Sequence, residues 1–230
     1  VWGLVNPSML SAYESYWNGM GSRSSPLYDF LNAKYILGKK DVVLDWDKFE
    51  LAFDGDPDLN VYRNRNVLPR AALVHSAQVV SDAEQALNAV RDPAFDPAGQ
   101  VVIEADGASL PALAAPGGKE TVRWVARSNN ELSLEVTTTA PGYLVLSEVW
   151  YPGWVAEAEI DGRIERQPVL RANTTFRAIP LWESGTYQVR LRFAPKGWSV
   201  GVIASVATLL LLGVWGLVAW RRHRAPTPNS

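Results

Sequence analysis

From Gly197 to Trp220 the chain runs 24 residues without a charged side chain, GWSVGVIASVATLLLLGVWGLVAW, and Arg221, Arg222 and Arg224 follow at once. A helix of that length covers about 36 Å, against about 30 Å for the hydrocarbon core of a bilayer. Core helices of soluble domains rarely run this long uncharged, and a secretory signal would lie at the other end of the chain. The segment therefore reads as a transmembrane helix over 197–220, with Trp198 and Trp220 at the two interfaces. The positive-inside rule puts the tail, 221–230, in the cytoplasm and residues 1–196 outside it. With the three tail arginines set aside, that outer part holds 19 basic and 24 acidic groups, a net −5.

Elsewhere the composition is that of a globular protein. Of 230 residues 47% are apolar, enough for a sizeable core. The 22 basic and 24 acidic side chains leave no basic surplus, so nucleic acid is not an expected partner. The absence of cysteine excludes disulfides, a thiolate nucleophile and Cys-based metal sites. The sequence begins at Val1, with neither Met nor an export signal. It reads as the continuation of a longer membrane protein, or as the product of signal removal.

Residues 1–95 read as a small α+β unit. Ser25 and Pro26 open a helix with Leu27, Phe30, Leu31 and Lys34 at helical spacing, Tyr35-Ile36-Leu37 forms a strand ending at Gly38, and DVVLDW, FELAF and LNVYRN form a hairpin region. RAALVHSAQVV, residues 70–80, is a strand, and 81–92 an amphipathic helix capped by Ser81 with Glu84 at the capping-box position. Residues 96–118, rich in Pro and Gly around the short strand QVVIEAD, mark a linker with an edge strand. Residues 119–195 alternate apolar and polar in short runs separated by turns, among them Asp161-Gly162, a type I′ hairpin signal. That pattern predicts an antiparallel β-sandwich of the immunoglobulin or jelly-roll kind. The fold class is thus α+β: the small N-terminal unit, the sandwich, and one C-terminal transmembrane helix. APTPNS is expected to be a flexible end.

Several clusters are candidates for chemistry. Asp54, Asp56 and Asp58 are spaced like the start of a calcium loop, but Leu59 and Arg65 stand where that loop needs Gly and Glu, which leaves a solvated turn. His75 has no second His or Cys in the outer part to share a metal, and Ser147 lacks the elbow of a serine hydrolase, so His75 reads as structural. No metal site or cofactor is expected. Glu148, Glu157, Glu159 and Asp161 could supply a carboxylate pair for glycoside chemistry, though a solvated strand face accounts for the last three. Trp150, Tyr151 and Trp154 surround Pro152-Gly153, a turn that would present flat aromatic faces to a sugar ring. Gly197, Gly201 and Ser205 form a small-residue ridge against which another membrane helix could pack. Asn173-Thr174-Thr175 is formally an N-glycosylation acceptor.

LYDFLNAKYIL, NVYRNRNVLPRAALV, PGYLVLSEVWYPGWVAEAEIDG and ANTTFRAIPLWESGTYQVRLRFAP, in that order and followed by the last span, resemble the C-terminal part of the bacterial YfhO-type membrane proteins. The resemblance covers nearly the whole chain and is most specific at YPGW-x-A…IDG and FRAI-P. It implies a polytopic protein similar to GT-C glycosyltransferases, which move sugar from a polyprenyl-phosphate donor to cell-envelope polymers. Their catalytic acid lies in an early outer loop that this sequence does not contain, so no catalytic residue is carried over. The expected role is acceptor or glycan positioning, with the bilayer, other membrane helices of the same protein and an envelope glycan or polyprenyl-linked sugar as partners. Two other classes stay open: a single-pass membrane-anchored binding or adhesion module, and an ectodomain hydrolase.

Overall fold

The computed structural model describes residues 10–105, 107, 110–195 and 197–223. Arg224 and the end APTPNS lie outside the described residues. The structure is of the α+β class, with two face-to-face sheets, helices and a small third sheet packed on one of them, and a long apolar helix at the C-terminus.

The burial pattern of each strand tells which layer it occupies. In one sheet the burial alternates. Strands β8 (Glu131–Thr138) and β14 (Gly185–Phe193) turn Leu132, Leu134 and Val136, and Tyr187, Val189 and Leu191, to the interior. A sheet with one wet face requires that period of two. Its order is β11 (Arg163–Gln167), β10 (Trp154–Ile160), β14, β8, β7 (Thr121–Arg127), all antiparallel. The β10–β11 turn is the expected two-residue hairpin: Asp161 and Gly162 have φ of 49° and 75°, as a type I′ turn needs.

In the second sheet burial is continuous. All of β9 (Gly142–Leu146) and all of β13 (Phe176–Leu181) are buried. Leu144, Leu146, Ile179 and Leu181 meet the first sheet; Tyr143, Val145, Phe176 and Ala178 face a second core under the helices. The order is β4 (Ala71–Val74), β9, β13, β12 (Leu170–Ala172), β6 (Val101–Glu104), β5 (Ala77–Val80). This sheet therefore draws strands from both sides of the 96–118 stretch. Residues 70–80 form two strands rather than one. His75 and Ser76 break the run, and β4 pairs with β9 while β5 crosses to pair in parallel with β6.

The second core is closed by α1 (Ser11–Gly19), α2 (Pro26–Phe30) and α3 (Ala83–Arg91). Ser25 caps α2 as read, and Pro26 fills its first position. The cap of α3 is Asp82 instead of Ser81: its carboxylate accepts from Gln85 N at 2.8 Å, and Ser81 Oγ accepts from the Gln85 side chain. An ionised acceptor also suits a helix N-terminus better than a hydroxyl. Phe176 is ringed edge-on by Tyr13, Tyr16 and Phe30. The small sheet is β1 (Tyr35–Lys39), β3 (Leu59–Asn64), β2 (Phe49–Phe53). β1 passes through Gly38 to Lys39, and DVVLDW forms no strand; β1 takes the place expected for it. A buried ion pair, Lys48 Nζ to Asp29 Oδ1 at 2.9 Å, ties this sheet to α2. Lys48 also donates to the Ser24 and Ser25 carbonyls, and Asn64 donates to Asp29, so the pair is hydrogen-bonded as a buried charge must be.

Helix α4 (Trp198–His223) is exposed throughout its apolar length, and its span Trp198–Trp220 has a mean hydropathy of 2.4. Length, composition and exposure fit a membrane anchor.

Leu144, fully buried between the sheets, tests this layering. Leu144→Ala should lower the unfolding free energy of the full chain in detergent by about 2–5 kcal/mol in a denaturant titration followed by tryptophan fluorescence. Ile164→Ala, at an exposed site on β11, should change it by under about 0.5 kcal/mol.

Candidate functional site

The two sheets leave an opening at one end of the space between them. β7, β10 and β14 share that end through Arg127, Trp154 and Phe193, and β13 enters it with Arg177. It is the end from which the chain passes into α4. A cleft of about 610 Å³ lies there, lined by Arg70, Arg127, Ser128, Asn129, Leu132, Glu148, Trp154 and Arg177. That size is within the range of small-ligand sites.

Arg177 is the unusual member. It follows Phe176 in a strand whose every residue is buried, and its parity with Ile179 and Leu181 turns it toward the space between the sheets. It is 5% exposed. The guanidinium lies 3.8 Å from the centroid of the Trp154 ring, its Nε donates to Val149 O at 2.9 Å, and its Nη1 is buried with no partner among the described residues. Burial pulls its pKa down to about 10, against the opposing pull of Glu148, so it stays cationic at neutral pH. Arg70 Nε donates to Glu148 Oε1 at 2.6 Å, and Arg127 Nε is 4.0 Å from the same oxygen. Two arginines thus share one carboxylate, with Arg177 beside them.

Trp154 sits where it does because of Pro152-Gly153. Gly153 has φ +105°, and a Cβ there would lie 3.1 Å from Pro195 Cα and 3.2 Å from the Phe193 ring. Only glycine lets this turn press against the segment that enters α4. Gly153 O accepts from Ala194 N at 2.7 Å, which fastens the contact.

The three expected aromatic candidates divide between two places. Trp154, half-buried, lines the cleft and packs on Phe193 at 5.6 Å. Trp150 lies at a smaller neighbouring hollow of about 210 Å³ with the exposed Tyr151. Trp150 donates from Nε1 to Val169 O and carries Arg171 over its face at 4.4 Å. Tyr151, 49% exposed, meets Phe193 at 6.2 Å and is the freest of the three. Gly197, just before α4, and Gly201 within it have nothing within 4 Å of a would-be Cβ, and Ser205 Oγ donates back to Gly201 O.

The remaining candidates are used structurally. Asp56 accepts from the Asp58 and Leu59 amides, which lowers its pKa and builds the turn. Among the described residues no group of three or more His, Cys, Asp or Glu is placed to hold a metal. Glu157 faces Arg166 and Arg190 in register across β10's neighbours. Asn173 is buried and accepts from Val102 N at 2.9 Å, so its side chain is closed to glycosylation. Its nearest strand, β6, gains in it a substitute ladder partner.

At the opposite end of the sandwich His75 faces Pro141 O through Nδ1 and Glu120 Oε2 through Nε2, both at 2.9 Å. Glu120 also accepts from the Thr139 amide at 2.7 Å and from the hydroxyls of Thr138 and Thr139. Both partners are acceptors, so the tautomer sets which nitrogen donates; either way the ring is held between them, as a structural histidine would be. The sequence reading passed over Arg70, Arg127 and Arg177. The available signal was Arg177 itself, a charge inside the apolar run FRAIPL.

Comparison with family models, with curated proteins and with solved structures finds no match for this chain.

Burial would raise the Glu120 carboxyl, but its hydrogen bonds from Thr139, His75 and Thr138 outweigh that and hold it below the ordinary 4.5. Ionised Glu120 therefore contributes stability that is complete above the unfolded-state value and is lost as pH falls through the lower folded value. Glu120→Gln should be less stable than the parent chain at pH 7, by about 1–3 kcal/mol. That gap should narrow as melting is repeated below pH 4.5.

Proposed function

We propose that this chain is the extracytoplasmic C-terminal part of a bacterial envelope membrane protein of the GT-C glycosyltransferase-like kind, itself non-catalytic, which positions a glycan acceptor beside the bilayer. One observation carries this reading: Trp154, Tyr151 and Phe193 are gathered by a turn pinned to the residues that enter the membrane helix. Aromatic faces held beside a bilayer suit stacking on a sugar ring. The acids offer less to catalysis, since Glu148 is engaged by Arg70, and Glu157 faces arginines across the sheet. The Gly197, Gly201 and Ser205 face of α4 is open, as packing against further helices of the same protein would require. The cytoplasmic position of the basic tail belongs to the same proposal. A single-pass membrane-anchored binding module is the second reading, favoured by the exposed Tyr151 at a hollow of about 210 Å³.

The lack of native cysteine makes topology simple to test. In intact cells a membrane-impermeant maleimide should label Glu84→Cys and should label Ser230→Cys only after permeabilisation. The reverse pattern overturns the extracytoplasmic reading. Replacing Trp150, Tyr151 and Trp154 together by Ala should abolish retention of the envelope polymer by the full protein while leaving its melting profile cooperative. Retention unchanged overturns glycan positioning.

A further inference from the structure

We propose that the cleft bounded by Arg70, Arg127 and Arg177 binds a phosphate-type oxyanion, presented by the headgroup of an anionic lipid in the bilayer that α4 enters. The inference does not depend on the glycosyltransferase reading.

The first support is charge. Three guanidinium groups and one carboxylate line the cleft, a local excess of two positive charges, in a chain whose outer part is net acidic. Glu148 is already taken, by Arg70 at 2.6 Å. Arg177 is left as a buried cation with a ring on one face, a carbonyl on Nε and an unpartnered Nη1. A buried charge without a full set of partners is costly, and proteins seldom retain one without an ion to complete it. Arginine's planar donors match phosphate and carboxylate oxygens, and paired arginines grip them bidentately.

The second support is position. Phe193 ends β14 and Trp198 starts α4, with only residues 194–197 between. The five Cα steps from Phe193 to Trp198 reach at most about 18 Å. The headgroup layer on each side of a bilayer is about 5–8 Å deep. The link is also folded, with Trp198 N donating to Pro195 O and Ala194 N to Gly153 O, which shortens it. From α4 a row of aromatic side chains leads toward Arg177. Trp198 and Phe193 share a second hollow of about 600 Å³, Phe193 packs on Trp154, and Trp154 lies under Arg177. The cleft thus stands at the end of the sandwich beside the membrane helix, where the commonest anion is a lipid phosphate.

The test uses the full chain in uncharged detergent. Three additives are titrated separately: soluble dihexanoyl phosphatidylglycerol, dihexanoyl phosphatidylcholine and inorganic phosphate. Binding is read from ³¹P line broadening and from the rise in melting temperature. Saturable binding of phosphatidylglycerol that exceeds phosphatidylcholine supports the proposal, with the lipid as source. Binding of inorganic phosphate at least as tight moves the source to a free phosphate while keeping the oxyanion site. Arg127→Ala, at an exposed position, should weaken binding about tenfold or more, and Arg177→Met should abolish it. Arg123→Ala, an exposed arginine on the same strand as Arg127 but outside the cleft, should leave binding unchanged. If Arg177→Met does not fold, Arg127→Ala decides. No saturable binding of any of the three, or equal binding by Arg127→Ala and the parent chain, overturns the proposal.

Discussion

The structure depends on one constraint: the middle strands of the six-stranded sheet bury both faces. Every residue of β9 and β13 is inaccessible, so each face needs its own covering layer. One cover is the five-stranded sheet, supplied by residues downstream of 119. The other comprises α1, α2, α3 and the hydrophobic parts around them, supplied by residues upstream of 96. Neither half of the chain completes a core alone, because β4 from the first half lies hydrogen-bonded against β9 from the second. The α+β character follows from this arrangement: one face of a sheet was closed by another sheet and the other face by helices.

The same constraint makes Arg177 informative. Continuous burial along a strand leaves no room for a charge unless the charge stands at the end of the layer, where the inter-sheet space opens. Arg177 is the second residue of β13 and sits there, between the last inter-sheet leucines and solvent. Stacking on Trp154 and bonding to Val149 O offset part of the desolvation, and the residual cost is visible in the depressed pKa. A methionine would fill the same position at lower cost if packing were all that mattered.

What the sequence disclosed, it disclosed through periodicity and local turn chemistry. The alternating strands of residues 119–195, the Asp161-Gly162 hairpin, the Ser25-Pro26 helix start and the apolar span were all legible, because each depends on neighbours within a few residues. The misreadings came where tertiary contacts decide. Nothing local in RAALVHSAQVV says that the chain changes sheet position at His75. Asp82 displaced Ser81 as a cap because two adequate acceptors stood side by side. The aromatic residues around Pro152 were visible as a group, yet the structure divides them, since Trp150 is bonded to Val169 O and Trp154 faces the cleft. The arginine cleft was not legible at all, because Arg70, Arg127 and Arg177 come from β4's approach, β7 and β13 and meet only when the sheets stack.

The two ends of the sandwich differ in a way that its one-ended attachment explains. Strand directions place Asp161, Glu183 and the Glu120 network at the end away from α4, and Arg70, Arg127 and Arg177 at the end beside it. The far end is not purely acidic, since Arg163 pairs with Glu183 there. Beside the membrane helix, Arg177 keeps an unpartnered Nη1 and Arg127 stands 4.0 Å from a Glu148 already engaged by Arg70. Bilayer surfaces carrying phosphate lipids attract such groups by about 1 kcal/mol each and repel acids. A domain joined to its anchor by residues 194–197 alone could otherwise tilt freely over the surface. The Gly153–Ala194 bond limits that freedom by fastening the aromatic turn to the segment that enters α4. The sheet end that opens into the cleft is also the end from which the chain passes into α4.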